Sequence, residues 1–246
     1  MSSKKQIQEW VAIADGNFSD TTEGKDEVLP ILKLSYKQLS SEMKQCFAFC
    51  AVFPKDYEME KDMLIQLWMA NGFIHEEGTM DLEQKGEFIF KELTWRSFLQ
   101  DVNVKQFSEA VACKMHDLMH DLAKDVTDDR ASVEELTQNK ASVKDVHHMI
   151  VPSCELDEIS TLLKGTSSLR TLLIQSRQRD SKGFKLTSLR AFCCVNSSFI
   201  HSPLINRTHL RYLDLSESDI ARLPNSLCVL YNLQSLRLNE CITIAI

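Results

Sequence analysis

EMKQCFAFCAVFPKDYEMEKDMLIQLWMANGF, residues 42–73, is the stretch on which the fold turns. Its first half, through Phe53, carries apolar residues around most of a helical circumference, with Ser40 or Ser41 placed to cap its start. Pro54 ends that helix, because a proline disfavours helical geometry in the residue before it. A second helix, MEKDMLIQLWMANGF, then runs to Gly72, a residue suited to the left-handed conformation past a helix end. Two helices are thus separated by a proline turn, and the second is apolar on much of its surface, a face built to be buried against protein.

Working outward, VLPILKLSYKQL (28–39) reads as a preceding helix and DLEQKGEFIFKELTWRSF (81–98) as a following one, with Leu82, Phe88, Ile89 and Leu93 among its apolar positions. Phe98 to Val104 and Ala110 to Met115 are two extended stretches around a polar turn, which predicts a β-hairpin. Helices followed by such a hairpin predict a winged-helix arrangement. Next come a helix over about Met115 to Val126 and a polar run, TDDRASVEELTQNKASVKD (127–145), expected to be an exposed connector. Upstream, QIQEWVAIADG (6–16) places Ile7, Trp10, Val11 and Ala14 on one helical face and reads as the last helix of a preceding element.

The second half repeats. LRTLLI begins at Leu169, LRAFCCV at Leu189, LRYLDL at Leu210 and LQSLRL at Leu233. Offsets of 20 to 23 residues fall within the period of leucine-rich repeats. Leu210, Leu213 and Leu215 lead to Ser218 and Ile220, while Leu233, Leu236 and Leu238 lead to Cys241 in the ladder position. VHHMIV at Val146 reads as a degenerate capping strand, and IARLPNSLCVLYN as an irregular return arm. The expected fold class is α+β: a mainly helical winged-helix subdomain followed by a short leucine-rich-repeat solenoid. CITIAI supplies no polar cap for that array, from which truncation is expected.

Composition narrows the function classes. Of 246 residues, 43% are hydrophobic and 26% charged, enough to bury a core. The net charge of −7 and pI near 5.5 remove the electrostatic attraction that dominates non-specific binding to nucleic acid. Eight cysteines without CxxC spacing, several among apolar neighbours, read as buried thiols in a reducing compartment. Cys46 and Cys50 are among these, packing as small hydrophobes. The first twenty residues lack a signal-peptide core, and no stretch of eighteen apolar residues occurs. These observations predict a cytoplasmic chain.

CKMHDLMHDLA (113–123) carries the one doubled chemical pattern. Helical spacing puts Met115, Leu118, Met119 and Leu122 on one face, His116 and His120 along its edge, and Asp117 and Asp121 outward. One reading is an amphipathic helix with polar edges. Another is a metal site, since histidines at i and i+4 can share an ion and Cys113 lies close, although no Glu stands between them at the metalloprotease position. The winged helix raises a third class, DNA binding through EKDMLIQLWMA as recognition helix; one lysine against two acids makes it a poor reader of phosphates. The repeats raise a fourth, an interaction adaptor whose exposed strand positions Arg211, Tyr212, Asp214, Gln234, Ser235 and Arg237 contact a protein.

The run ILKLSYKQLSSEMKQCFAFCAVFPKDYEMEKDMLIQLWMANGFI, then KMHDLMHDLA, then the repeats together resemble plant intracellular immune receptors: the nucleotide-binding leucine-rich-repeat (NB-ARC/LRR) disease resistance proteins of the coiled-coil class. The resemblance covers nearly the whole chain. It implies that residues 1–18 are the tail of a helical subdomain, 19–127 a winged-helix (ARC2-like) subdomain with the MHD motif, 128–146 a connector and 147–246 leucine-rich repeats. It implies that His116 contacts the β-phosphate of bound ADP, with Met115 and Asp117 orienting it, and that exchange of ADP for ATP switches the receptor on. Protein partners are implied: a pathogen effector or guarded host protein, and other receptor chains. No enzymatic activity and no nucleic acid partner are expected. The sequence departs from the family in lacking G-x-x-x-x-G-K-[ST]; its one Gly-Lys pair, Gly24-Lys25, precedes Asp26. A lone histidine supplies about 1.5–3 kcal/mol against the roughly 8 kcal/mol of micromolar affinity, so no ADP binding is expected of this chain by itself.

Overall fold

In the computed structural model the described residues are 22–104, 110–127, 130–132, 146–151, 168–175, 188–194, 209–218, 223 and 225–241. The helix expected at 6–16 lies outside them. The chain divides into two units, residues 1–38 and 39–246. The first contains helix α1 (Thr22–Lys37), which begins earlier than its apolar pattern and carries Pro30 in its interior.

In the second unit, local chemistry sets each helix boundary. Ser40 is extended and its Oγ accepts the Met43 N–H at 3.2 Å, starting α2 (Ser41–Phe49), which tightens into a 3-10 turn over Cys50–Val52 before Pro54. After the two-residue strand β1 (Met59–Glu60), α3 (Lys61–Asn71) ends at Gly72. That glycine has φ 74°, a conformation that lets its N–H and that of Phe73 bond back to Met69 and Trp68. Helix α4 (Leu82–Trp95) opens with a reciprocal box in which Asp81 accepts from the Gln84 N–H and Gln84 from the Asp81 N–H. A Cβ at Gly86 would stand 2.4 Å from Ile65 Cγ2, so the absence of a side chain there permits α4 to approach α3.

Strands β2 (Gln100–Val104) and β3 (Val111–Lys114) form the expected hairpin, and β1 adds to β3 in the order β1-β3-β2. Register pairs Met59 with Cys113 and Asn103 with Ala112, with an irregularity between Gln100 and Asn103. Helix α5 (Asp117–Asp125) follows. Helices α2 to α4 with this three-stranded sheet form the winged-helix domain.

A six-stranded parallel sheet follows, its strands in sequence order: β4 (Arg130–Ser132), β5 (His148–Val151), β6 (Thr171–Ile174), β7 (Ala191–Cys194), β8 (Tyr212–Asp214) and β9 (Ser235–Arg237). Leu172, Phe192 and Leu213 stand in one row of the register and join Leu169, Leu189, Leu210 and Leu230 in the apolar cluster. Cys241 donates its thiol to Leu215 O at 3.3 Å, and Ser218 is fully buried. Much of what links these strands lies outside the described residues.

Two expectations are corrected. The segment read as a connector, 128–146, contains β4, which pairs with β5 from Arg130↔His148 to Ser132↔Ile150; the backbone of β5 supplies a partner that a polar sequence does not advertise. VHHMIV is accordingly not a terminal cap but lies between two strands, with all four residues of β5 buried.

Candidate functional site

Helix α5 positions the doubled His-Asp pattern. His116 is its N-cap: extended at φ −62°, ψ 146°, it accepts the Leu118 N–H on Nδ1 at 3.2 Å. An imidazole nitrogen that accepts carries no proton, so the neutral ring holds its proton on Nε2. The His116 side chain is exposed, while Met115 beside it is buried, anchoring the chain just before the cap. Asp117, also exposed, occupies the first helical position, where a carboxylate is favoured by the unsatisfied N–H groups. It lies 4.0 Å from Lys55 Nζ.

His120 is not at the helix edge as expected. It is 2% exposed, and its Nε2–H donates to Phe53 O at 2.7 Å while Nδ1 has no hydrogen-bond partner among the described residues. The two histidines thus turn apart, and with Cys113 buried on β3 they do not converge on one ion. Among the described residues no group of three His, Cys, Asp or Glu side chains could hold a metal. Burial keeps the His120 imidazole below its ordinary 6.5; the Phe53 carbonyl opposes this, Lys124 and Lys55 reinforce it and Asp121 opposes it. A depressed histidine makes the unfolded chain take the proton first. Its contribution to stability is therefore complete above pH 6.5 and is lost as pH falls below that value. His120→Gln, which keeps an amide donor for Phe53 O, is expected to show a smaller drop in urea midpoint between about pH 7 and about pH 5.5 than the parent chain. Equal drops would mean that His120 is not the titrating group.

The candidate recognition helix, α3, has no open reading face. Leu64, Ile65, Leu67, Trp68, Ala70 and Asn71 are all buried, because α4, β1, β3, β7 and β8 all pack on this helix. Cys46 and Cys50 are buried and form no disulfide; the Cys50 thiol donates to Cys46 O at 3.4 Å, and burial raises the Cys46 thiol well above its usual range.

Of the strand positions offered as a protein-contact surface, Tyr212, Asp214 and Arg237 are covered. Tyr212 is 0% exposed and Asp214 4%, and the Arg237 side chain is 10% exposed. Tyr212 donates to Asp214 Oδ2 at 2.9 Å, and Arg237 binds both oxygens of Glu60 at 2.6 and 2.8 Å. Burial raises the Tyr212 phenol well above its usual range, with the Asp214 charge adding to it. Arg211 and Ser235 are half-buried, and Gln234 is exposed. The winged-helix domain occupies this face. Asn71 Nδ2 donates to Thr171 Oγ1 at 2.9 Å, and Thr171 Oγ1 lies 3.0 Å from His148 Nδ1. Arg190 donates to Asn71 O at 2.7 Å, and Gln175 to Tyr57 Oη at 2.7 Å. Nothing in the repeat period marks the partners Asn71 and Tyr57, which stand 100 to 119 residues from Thr171, Gln175 and Arg190 in the chain.

Residues 52–123 match the family model for the winged-helix domain of disease resistance proteins. The chain is similar to disease resistance protein RGA2 of Solanum bulbocastanum, 41% identical over 172 residues, covering 69% of this chain and 17% of the relative. It is likewise similar to putative disease resistance protein RGA1 of the same species, 36% identical over 215 residues, covering 87% of this chain and 20% of the relative. Putative disease resistance RPP13-like protein 1 of Arabidopsis thaliana is 30% identical over 249 residues, covering 94% and 23%. The chain therefore spans about a fifth of the length of these relatives, which are named for disease resistance and not for an enzymatic activity. Among the described residues no helix is long and apolar enough to cross a membrane. With its hairpin, its buried α3 and its matched winged-helix domain, the chain belongs to the plant disease resistance proteins.

Proposed function

We propose that the chain is the winged-helix part of an ADP/ATP-dependent switch in a cytoplasmic plant immune receptor, joined to the first leucine-rich repeats of a protein-recognition solenoid. Residues 19–127 are the switch subdomain, and the repeats begin at β4 rather than at residue 147. The observation that carries the reading is the capping geometry of His116, which directs one nitrogen into the helix and leaves the protonated one available to an outside acceptor. A phosphate oxygen of ADP is such an acceptor, with Met115 and Asp117 orienting the ring. His116 fits the nucleotide as a single donor. The glycine-rich cradle and its lysine are not in this sequence, so binding needs a nucleotide-binding half. Bound ADP favours the resting arrangement, and recognition of an effector or guarded protein through the repeats shifts the population away from it.

The buried strand face gives the repeats a second task in this reading. Their strands hold the switch, so a displacement of the repeats reaches the winged-helix domain through Asn71, Tyr57 and Glu60. The DNA-binding alternative loses its reading helix to the same contact.

Calorimetry of ADP binding to this chain mixed with a nucleotide-binding half that carries the phosphate loop tests the proposal. His116→Ala is expected to weaken binding about tenfold to a hundredfold, the worth of one charge-assisted hydrogen bond. Unchanged affinity would leave His116 a helix cap only, and would turn the reading toward an adaptor acting through its repeats.

A further inference from the structure

The second His-Asp pair, His120-Asp121, has no part in the function proposed above, yet both members are engaged with one short segment. His120 Nε2–H reaches Phe53 O at 2.7 Å, and Asp121 Oδ1 lies 2.7 Å from Lys55 Nζ. Phe53 and Lys55 flank Pro54, whose ring fixes its own φ. Asp56 follows with φ 61°, and the Phe53 ring stacks on Tyr57 with centroids 5.0 Å apart and planes 15° apart. The segment is therefore a stiff counterpart for the helix. A nine-residue helix is marginal by itself and its first turn frays, so the direction of an N-cap side chain depends on tertiary anchors.

We propose that residues 53–55 brace the switch histidine: Phe53 through His120 and Lys55 through Asp121 hold the first turns of α5, so that His116 keeps its cap bond and one orientation of its outer nitrogen. Lys55 and Asp121 are positioning residues. The doubled motif is then a division of labour, with the first pair facing the ligand and the second fixing the first. The inference rests on the reading of His116 as a phosphate donor, and its test is separable from that reading.

The Leu118 N–H, which His116 caps, reports the brace directly. Its hydrogen exchange is measured by NMR in the full chain and in Lys55→Met, Asp121→Asn, the double variant and Lys55→Arg, beside the Met149 amide of the buried sheet. Lys55 and Asp121 are each about a third exposed, with side-chain accessibilities of 37% and 32%, so these variants fold. Each single variant is expected to exchange Leu118 about two- to fivefold faster, matching the worth of a partly exposed ion pair. The double variant gains nothing beyond Lys55→Met, which by itself removes the cation from both Asp121 and Asp117. Lys55→Arg stays at the parent rate, and Met149 is unmoved throughout. Unchanged Leu118 exchange in both single variants overturns the brace, as does joint acceleration of Leu118 and Met149, which would signal general destabilisation. If Leu118 responds while His116→Ala leaves ADP affinity in the reconstituted mixture unchanged, the brace stands and the nucleotide reading falls. If His116→Ala weakens ADP binding and Leu118 does not respond, the reverse holds.

Discussion

Trp68→Ala is expected to lower the stability of the chain by about 4 kcal/mol and its melting temperature by about 8–16 °C. Trp68 is fully buried on α3, the helix packed against by α4, β1, β3, β7 and β8. Truncation removes the largest fully buried side chain among the described residues, and a helix held by contacts to two bodies of structure cannot easily collapse into the void. Trp68→Phe should cost far less, about 1 kcal/mol, for two reasons. It keeps most of the ring, and it deletes an indole N–H that has no hydrogen-bond partner among the described residues. Thermal unfolding of both variants checks the pair. A drop of less than about 4 °C for the alanine variant would mean that α3 is not the hub of this core.

Arg237→Ala carries the second large effect, about 2–3 kcal/mol. Arg237 is the cation between two carboxylates, bidentate to Glu60 on the winged-helix side and 3.4 Å from Asp214 on its own sheet. Burial lowers its affinity for the proton, but the Glu60 hydrogen bonds, with Tyr212 and Asp214, raise it above its ordinary value. Without the guanidinium, Asp214 and Glu60 face each other with no cation between them, and Asp214 is nearly inaccessible to water. Glu60→Gln should cost less, about 1 kcal/mol, because Arg237 retains Asp214 and the amide retains one acceptor. Urea unfolding of both variants and the double variant measures the coupling. Additive losses would show that the contact does not join the two bodies energetically.

Much of the winged-helix domain was legible in the sequence because its signals are local. Ser40, Pro54, Gly72 and Asp81 act on their own neighbours through caps, fixed φ or a left-handed turn, and each marks a boundary within a residue or two. The strands at Leu169, Leu189, Leu210 and Leu233 were legible for another local reason, a period that repeats the same apolar triplet. By contrast, β4 was read as connector since Arg130, Ala131 and Ser132 have no strand pattern of their own, and their pairing with β5 is a matter of backbone register.

The site divides in the same way. The sequence by itself predicted a helix over about Met115 to Val126 with Met119 and Leu122 on one apolar face, and it holds no phosphate-binding loop; that His116 caps this helix instead of lying along its edge came from the structure. Only the tertiary structure decided that His120 is buried against Phe53 O and that Lys55 spans Asp117 and Asp121. It alone decided that Tyr212, Asp214 and Arg237 serve a junction rather than an open surface. Strand periodicity fixes which residues share a face, but not what covers that face. Here the cover is α3 and its neighbours, contributed from about a hundred residues away, and partners at that separation leave no trace in a local pattern.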